Sequence, residues 1–251
     1  MKLLIDFGNS RCKWASLSTC SGNQDTLETN AYVYKSEDSS HRVQEVAEQI
    51  CFDSIQEIHA VSVLSDVFNK AFCTHVEKNL SIATKFHISQ VNSHGVTLAY
   101  ANPLSYGADR YAALIAAYHK LSAAKIVIDC GTATTVDSID ASGKHLGGLI
   151  IPGVALMCTS LVNKASGITM PNHADSTQLF NDNTADAVYS GSRLVLKHGM
   201  RGIIQEIVGS YINQRATVYV TGGDSHMLWL DDIEYVDCPN LVLEGLRIIQ
   251  G

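Results

Sequence analysis

The chain has 251 residues, 46% of them hydrophobic and 17% charged, with a formal net charge of -7. This length suits one large or two compact domains, and the composition is that of an ordered globular protein rather than a disordered or fibrous one. The acidic balance, with no Lys/Arg block to override it, excludes a protein that reads a nucleic-acid backbone but leaves room for a small, locally bound anion. Seven cysteines are scattered without a Cys-x-x-Cys pair, and ten histidines include no His-Glu-x-x-His, so buried thiols in a reducing compartment are expected and zinc is not. No apolar run approaches the ~18 residues of a membrane span. The first strand is read from Lys2, leaving no room for a signal peptide. A cytoplasmic location with no membrane partner is the expectation.

Taken in order, Leu3-Leu4-Ile5-Asp6-Phe7-Gly8-Asn9-Ser10 reads as an apolar strand, a carboxylate and a polar turn that re-enters a strand at Lys13-Trp14-Ala15. Ser18 to Asn30 is polar and turn-rich, and a third strand is expected over Ala31 to Tyr34. The spacing of Val43, Val46, Ala47 and Ile50 predicts a helix over Ser40 to Ile50. A buried strand over Ile55 to Leu64 and a helix over Asp66 to Leu80 continue an α/β alternation. Phe86-His87-Ile88 is expected as a short strand before an irregular segment, Asn92 to Tyr106.

Tyr100-Ala-Asn-Pro-Leu-Ser-Tyr-Gly-Ala-Asp-Arg-Tyr then runs into an alanine-rich helix with Asp109 at its beginning. Asp109 is open to two readings. As an N-cap it accepts a backbone N–H and faces the positive end of the helix dipole. With the open backbone of Gly107-Ala108 before it and the forked cation of Arg110 after it, it suits an anionic substrate bearing a hydroxyl.

In the second half, Lys125 to Asp137 reads strand, tight turn, strand: Ile126-Val127-Ile128, Asp129, then Gly131 among the hydroxyls of Thr132, Thr134 and Thr135. Gly131 is expected to take a turn closed to residues with a Cβ. A carboxylate at a strand end followed by outward N–H groups and hydroxyls is one way to cradle a phosphate and its counter-cation, and a plain hairpin with a satisfied Asp is the other reading. The Asp6 hairpin repeats the same order half a chain earlier, which suggests duplication of one domain and two phosphate hairpins facing each other across a nucleotide cleft. Gly143-Lys144 is not a P-loop, because Ser138 and His145 stand where its first glycine and its Ser/Thr should be. A strand over Leu146 to Ile151 ends in Pro152-Gly153, and a helix is expected over Val154 to Lys164. Asp175 to Asn183 is a polar loop, and a long helix opens at Thr184, itself a possible N-cap, and runs to about Tyr211. A strand over Thr217 to Val220 leads into Thr221-Gly222-Gly223-Asp224, and a helix over Leu241 to Ile249 closes the chain.

Six of these stretches in this order resemble type III pantothenate kinases of the actin, sugar-kinase and heat-shock ATPase superfamily: Asp6 to Lys13, Gly107 to Arg110, Asp129 to Asp137, Gly147 to Gly153, Thr221 to Gly223 and Leu243 to Leu246. The resemblance runs nearly end to end. It implies an α/β fold of two duplicated ribonuclease-H-like domains, read here as 1–118 and 119–251, and a homodimer. The implied reaction is ATP-dependent phosphorylation of pantothenate, the first step of coenzyme A biosynthesis. By position, Asp6, Gly8, Asn9, Ser10 and Lys13 look like the ATP phosphate loop, with Asp6 anchoring Mg²⁺ through its water shell, and Thr132 looks like a further ATP contact. Asp129 looks like the ligand of a monovalent cation, potassium or ammonium. Tyr100, Gly107, Ala108, Asp109 and Arg110 look like the pantothenate site, with Asp109 as proton acceptor, and Thr184 matches a threonine that completes that site from the partner subunit. Tyr106 stands where a smaller residue is expected, Ser10 where threonine is commoner, and Leu64-Ser65 replaces a proline-containing turn. A phosphohydrolase or a nucleotide-dependent regulatory accessory protein on the same fold are the alternatives.

Overall fold

The computed structural model describes residues 1–17, 27–170, 178–212, 215–228, 230 and 232–251, in two compact units. Residues 18–26 of the polar stretch read from Ser18, Cys20 among them, and residues 175–177 of the loop read from Asp175 lie outside the described residues.

The first unit is built on five strands: β1 (Lys2–Phe7), β2 (Arg11–Leu17), β3 (Thr29–Val33), β4 (Glu57–Ser62) and β5 (Ala83–Phe86). Their order is β3-β2-β1-β4-β5. β1 to β3 form an antiparallel meander, and β4 and β5 add in parallel beyond β1. Parallel neighbours need crossovers, and these are helices α1 (Ser39–Gln49) and α2 (Asp66–Leu80). Asp38 caps α1 by accepting from the backbone N–H groups of Ser40 and His41, and Ser65 caps α2 by accepting from Phe68 N at 3.3 Å. Ser65 thus has a structural use as a helix cap. Leu3, Ile5 and Phe7 alternate into a core with Val43, Val46, Phe68, Phe72 and Val76. The expected strand at Phe86-His87-Ile88 is displaced, since β5 ends at Phe86. A small hairpin, β6 (Asn92–Ser93) with β7 (Val96–Thr97), and a 3₁₀ turn at Pro103–Ser105 lie in the segment read as irregular, before α3 (Ala108–Lys120).

The second unit repeats the plan with β8 (Ala124–Cys130), β9 (Ala133–Ile139), β10 (His145–Pro152), β11 (Ala216–Thr221) and β12 (Tyr235–Asp237), ordered β10-β9-β8-β11-β12. The directions match strand for strand: β8, β9 and β10 are antiparallel, and β11 and β12 run parallel to β8. Ala124, Ile126, Ile128 and Cys130 enter a core with α4 (Val154–Lys164) and α5 (Thr184–Glu206), the latter continuing as a π-helical stretch over Ile207–Ile212. α5 is capped by Asn183, which accepts from Asp186 N, so Thr184 is the first helical residue and not the cap. The turn at Gly143-Lys144 is a polar β-turn in which the Asp140 carboxylate accepts from Ser142 N and Lys144 N.

The last helix, α6 (Leu241–Ile249), does not stay with the second half of the chain. The units are Met1–Ser122 with Asn240–Gly251, and Ala123–Pro239, which differs from a linear division at 118/119. Gly245 explains the placement: a Cβ there would lie 1.8 Å from the Ala112 carbonyl oxygen, so α6 and α3 cross with backbone against backbone. Lys120 to Glu244 at 2.7 Å and Lys2 Nζ donating to Gln250 Oε1 at 2.6 Å fasten its flanks to α3 and β1.

Beside β4 and β5 lies a histidine pair. His59 Nε2 is 2.6 Å from Glu57 Oε2, and His59 Nδ1 is 2.9 Å from His87 Nε2. Only one proton fits between the two rings, so one of these two nitrogens donates and the other accepts. Burial, then the proximity of His59, Lys85 and His94, lowers the His87 pKa from its ordinary 6.5 to about 4. Between these values the unfolded chain binds the proton more readily than the folded one, so stability falls as pH drops from 6.5 through about 4. The melting temperature should therefore decline across that window, and more steeply for wild type than for His87→Gln, which keeps a donor but does not titrate. Parallel pH profiles for the two proteins would contradict this.

Candidate active site

Both hairpins place a carboxylate at the end of the central strand. Asp6, on β1, stands opposite Lys13 on β2 and Val61 on β4. Directly paired residues project to the same face, so carboxylate and ammonium are neighbours at the strand end. Phe7 points the other way, packing edge-on against Phe68 and Phe72 at 5.1 and 4.9 Å. Gly8 N donates to Arg11 O at 3.1 Å, which leaves Asn9 and Ser10 exposed at the tip. In the second unit Asp129 stands opposite Thr135 on β9 and Thr221 on β11, and the neighbouring Cys130 enters the core. Gly131 N donates to Ala133 O at 3.1 Å and Thr132 is exposed at the tip. The second turn is one residue tighter: residues 8 to 11 separate the pair Phe7 and Cys12, whereas 131 to 133 separate Cys130 and Thr134.

Two glycines from other loops pack against that second hairpin. Gly153, at the start of α4, donates its N–H to Thr132 O at 3.0 Å, and a Cβ on it would lie 2.6 Å from the Gly131 carbonyl oxygen. Gly222 has φ +95°, and a Cβ there would lie 2.2 Å from Cys130 O, while Asp224 N donates to that same oxygen at 2.9 Å. Gly131 corrects the sequence expectation, because its φ is not in the left-handed region and a Cβ on it would meet only Ala133 O at 3.6 Å. What glycine provides here is open space. Charge collects at the same strand end: burial first, then Asp129, Asp224 and Asp237, push the Cys130 thiol pKa far up. Burial, with Asp6 behind it, does the same to Cys12 in the first hairpin.

The acceptor-side residues gather at the start of α3. Gly107 is the N-cap, and Asp109 lies in the first turn rather than at the cap. Its Oδ1 accepts from Arg110 N at 2.7 Å, and a Cβ on Gly107 would come within 2.6 Å of that oxygen, so the glycine leaves room for the carboxylate. Ala108 follows as the first helical residue. Arg110 is only 6% exposed. Its guanidinium carbon sits 4.6 Å from the centre of the Tyr106 ring and 5.9 Å from that of Tyr100, and Nη1 donates to the Tyr100 hydroxyl at 3.5 Å. Tyr106, singled out in the sequence for its size, belongs to this cluster, and what the sequence did not show is its contact with Arg110.

Thr184 lies in the second unit, exposed at the start of α5. With Pro152, Leu156, Leu161, Val188 and Val195 it lines an apolar groove of about 830 Å³ between α4 and α5. Leu156, Leu161 and Val195 are exposed there, and so are Leu149 and Ile150 on edge strand β10. Among the described residues no helix is long and apolar enough to cross a membrane, and no group of three or more His, Cys, Asp or Glu is placed to hold a metal ion.

A family model described as type III pantothenate kinase matches residues 2–208. The chain is 30% identical to a type III pantothenate kinase of Herminiimonas arsenicoxydans over 257 residues, covering 99% of this chain and 97% of that protein. It is 31% identical to one of Laribacter hongkongensis over 248 residues, covering 98% and 97%. Among solved structures it resembles Ta0583, an archaeal actin homolog, with a TM-score of 0.52, 11% identity and coverage of 99% and 98%. That likeness shows the two-domain actin-like fold, to which the repeated five-stranded sheets conform.

The geometry of the second hairpin separates two glycines. Gly222→Ala should lower the melting temperature, costing about 1–3 kcal/mol from the backbone conformation alone, with the collision at Cys130 in addition. Gly131→Ala should leave it near wild type. Thermal unfolding followed by circular dichroism checks this, and equal losses in both variants would contradict it.

Proposed function

The chain belongs to the type III pantothenate kinase family and phosphorylates pantothenate with ATP at the first step of coenzyme A biosynthesis, and from that premise we propose which residues perform the transfer. The observation that carries the assignment is that the first turn of α3 sets the Asp109 carboxylate, which accepts from the Arg110 backbone N–H, next in sequence to the buried Arg110 side chain. Phosphoryl transfer through a loose transition state asks the protein mainly to align the acceptor oxygen and offset charge. Asp109 holds the pantothenate hydroxyl and receives its proton late, as the new oxygen–phosphorus bond forms. A strong base is not needed, and the first turn of a helix favours the ionised carboxylate. Arg110 and Tyr100 hold the rest of the acceptor, beside the open backbone of Gly107 and Ala108.

Asp6, Gly8, Asn9, Ser10 and Lys13 bind the ATP phosphates on one hairpin and Thr132 on the other. The open space at Gly131 supports this reading, since the chain's own atoms do not claim it. Magnesium arriving with ATP supplies neutralising charge at the phosphates, and the single carboxylate of Asp6 beside Lys13 suits an ion that keeps much of its water. Asp129, with Thr135 and Thr221 opposite, offers oxygen donors for a monovalent cation, potassium or ammonium, in a region already crowded with carboxylates. Activity should accordingly be high in potassium or ammonium and poor in sodium-only buffer. Equal rates in all three would remove the cation from the account.

The protein acts as a cytoplasmic homodimer in which Thr184 of one subunit completes the pantothenate site of the other. The exposed apolar residues around α4 and α5 support such pairing. Asp109→Asn should lower turnover at least ~100-fold, the low end of a general-base contribution, and Thr184→Arg should be nearly inactive as well. Mixed and allowed to reassort, the two chains should regain activity, because each heterodimer contains one intact site. No recovery in demonstrated heterodimers would show that each subunit works alone.

A further inference from the structure

Tyr106 has no assigned role, yet its surroundings are those of a fixed support. The residue is 2% exposed, and its backbone is held at both ends. Its N–H donates to Pro103 O at 3.0 Å, closing a 3₁₀ turn that Asn102 caps by accepting from Leu104 N at 3.1 Å. Its carbonyl accepts from the buried Ser89 hydroxyl at 2.8 Å. The face of this anchored ring is covered by Arg110, whose guanidinium carbon lies 4.6 Å from the ring centre. Tyr100 closes a second side, its ring 4.9 Å from that of Tyr106 at 58°. An arginine side chain is long and has many rotamers, and a buried guanidinium held on an aromatic face loses most of them before any ligand arrives. Arg110 is therefore preset in one orientation.

We propose that Tyr106 is a positioning residue for pantothenate binding: its ring face holds the Arg110 guanidinium in the orientation that receives the acceptor. The proposal rests on the assignment of Arg110 to the pantothenate site. Tyr106 acts through Arg110 and not through the reacting atoms, so its removal should weaken acceptor binding while leaving the chemical step and the nucleotide alone. Tyr106→Phe keeps the face and Tyr106→Leu removes it.

Steady-state kinetics of the full-length enzyme test this with Tyr106→Phe, Tyr106→Leu, Arg110→Lys and the Leu/Lys double variant. Tyr106→Leu should raise the pantothenate KM about three- to tenfold, in keeping with the loss of a desolvated cation–π contact, with kcat and the ATP KM near wild type. Tyr106→Phe should stay close to wild type. The double variant should be no worse than Arg110→Lys alone, because the ring has nothing left to orient. Should Tyr106→Leu fail to fold, Tyr106→Met carries the test with similar volume and no aromatic face. A Leu or Met variant indistinguishable from wild type, equal damage from Phe and Leu, or equal rises in both KM values would overturn the proposal while leaving Arg110 in place. An unchanged pantothenate KM in Arg110→Lys would instead refute the assignment of Arg110, and the role of Tyr106 with it.

Discussion

Strand alternation at the end of each central strand is the constraint on which the rest depends. In β1 and β8 the last residue turns into the core, as Phe7 and Cys130, and the one before it turns to the opposite face, as Asp6 and Asp129. A carboxylate can be kept at that point because a hairpin follows at once and ends the strand's demand for apolar residues. The same central strand is flanked by an antiparallel neighbour on one side and a parallel one on the other. Polar residues of the hairpin therefore reach the carboxylate from one side, and the strand leading into the Gly222 loop reaches it from the other. One arrangement used twice gives two turns of the same plan, and their one-residue difference in length leaves different tips, Asn9-Ser10 in one and Thr132 in the other.

Much of this was legible because the signals are local. The hairpins, the helices over Asp66–Leu80, Val154–Lys164 and Leu241–Ile249, and the duplication follow from alternation, helical spacing and turn residues close together in the chain. The placement of α6 was not legible. Its apolar face shows that it must be buried but not against which core, and the deciding contact is a glycine meeting the backbone of Ala112, far away in sequence. β12 was missed because its three residues are all exposed and carry no alternation.

The site itself was read in part. Asp109 and Thr184 were both weighed as helix caps, and in both cases the cap is another residue, Gly107 and Asn183. For Asp109 this moves the structural use of the carboxylate from the cap to the first turn, where it accepts from Arg110 N and faces the positive end of the helix dipole. Gly131 was read as a demand of backbone conformation, whereas the structure shows neither a left-handed φ nor a crowded site, a Cβ there meeting only Ala133 O at 3.6 Å. Tyr106 was noticed for its size, but its use depends on a ring and a guanidinium meeting across a loop–helix junction, and no periodic pattern records such a contact.

These features describe a protein that aligns a hydroxyl with a bound nucleotide, and the central claim is that transfer to pantothenate is its reaction. The most direct measurement follows ADP release from ATP with and without pantothenate while the acceptor's mass is monitored. The account predicts that ADP appears only when pantothenate is present and is matched one for one by 4′-phosphopantothenate. ADP and inorganic phosphate released without pantothenate, or no release with it, would contradict the account and point to a phosphohydrolase or a non-catalytic nucleotide-binding protein.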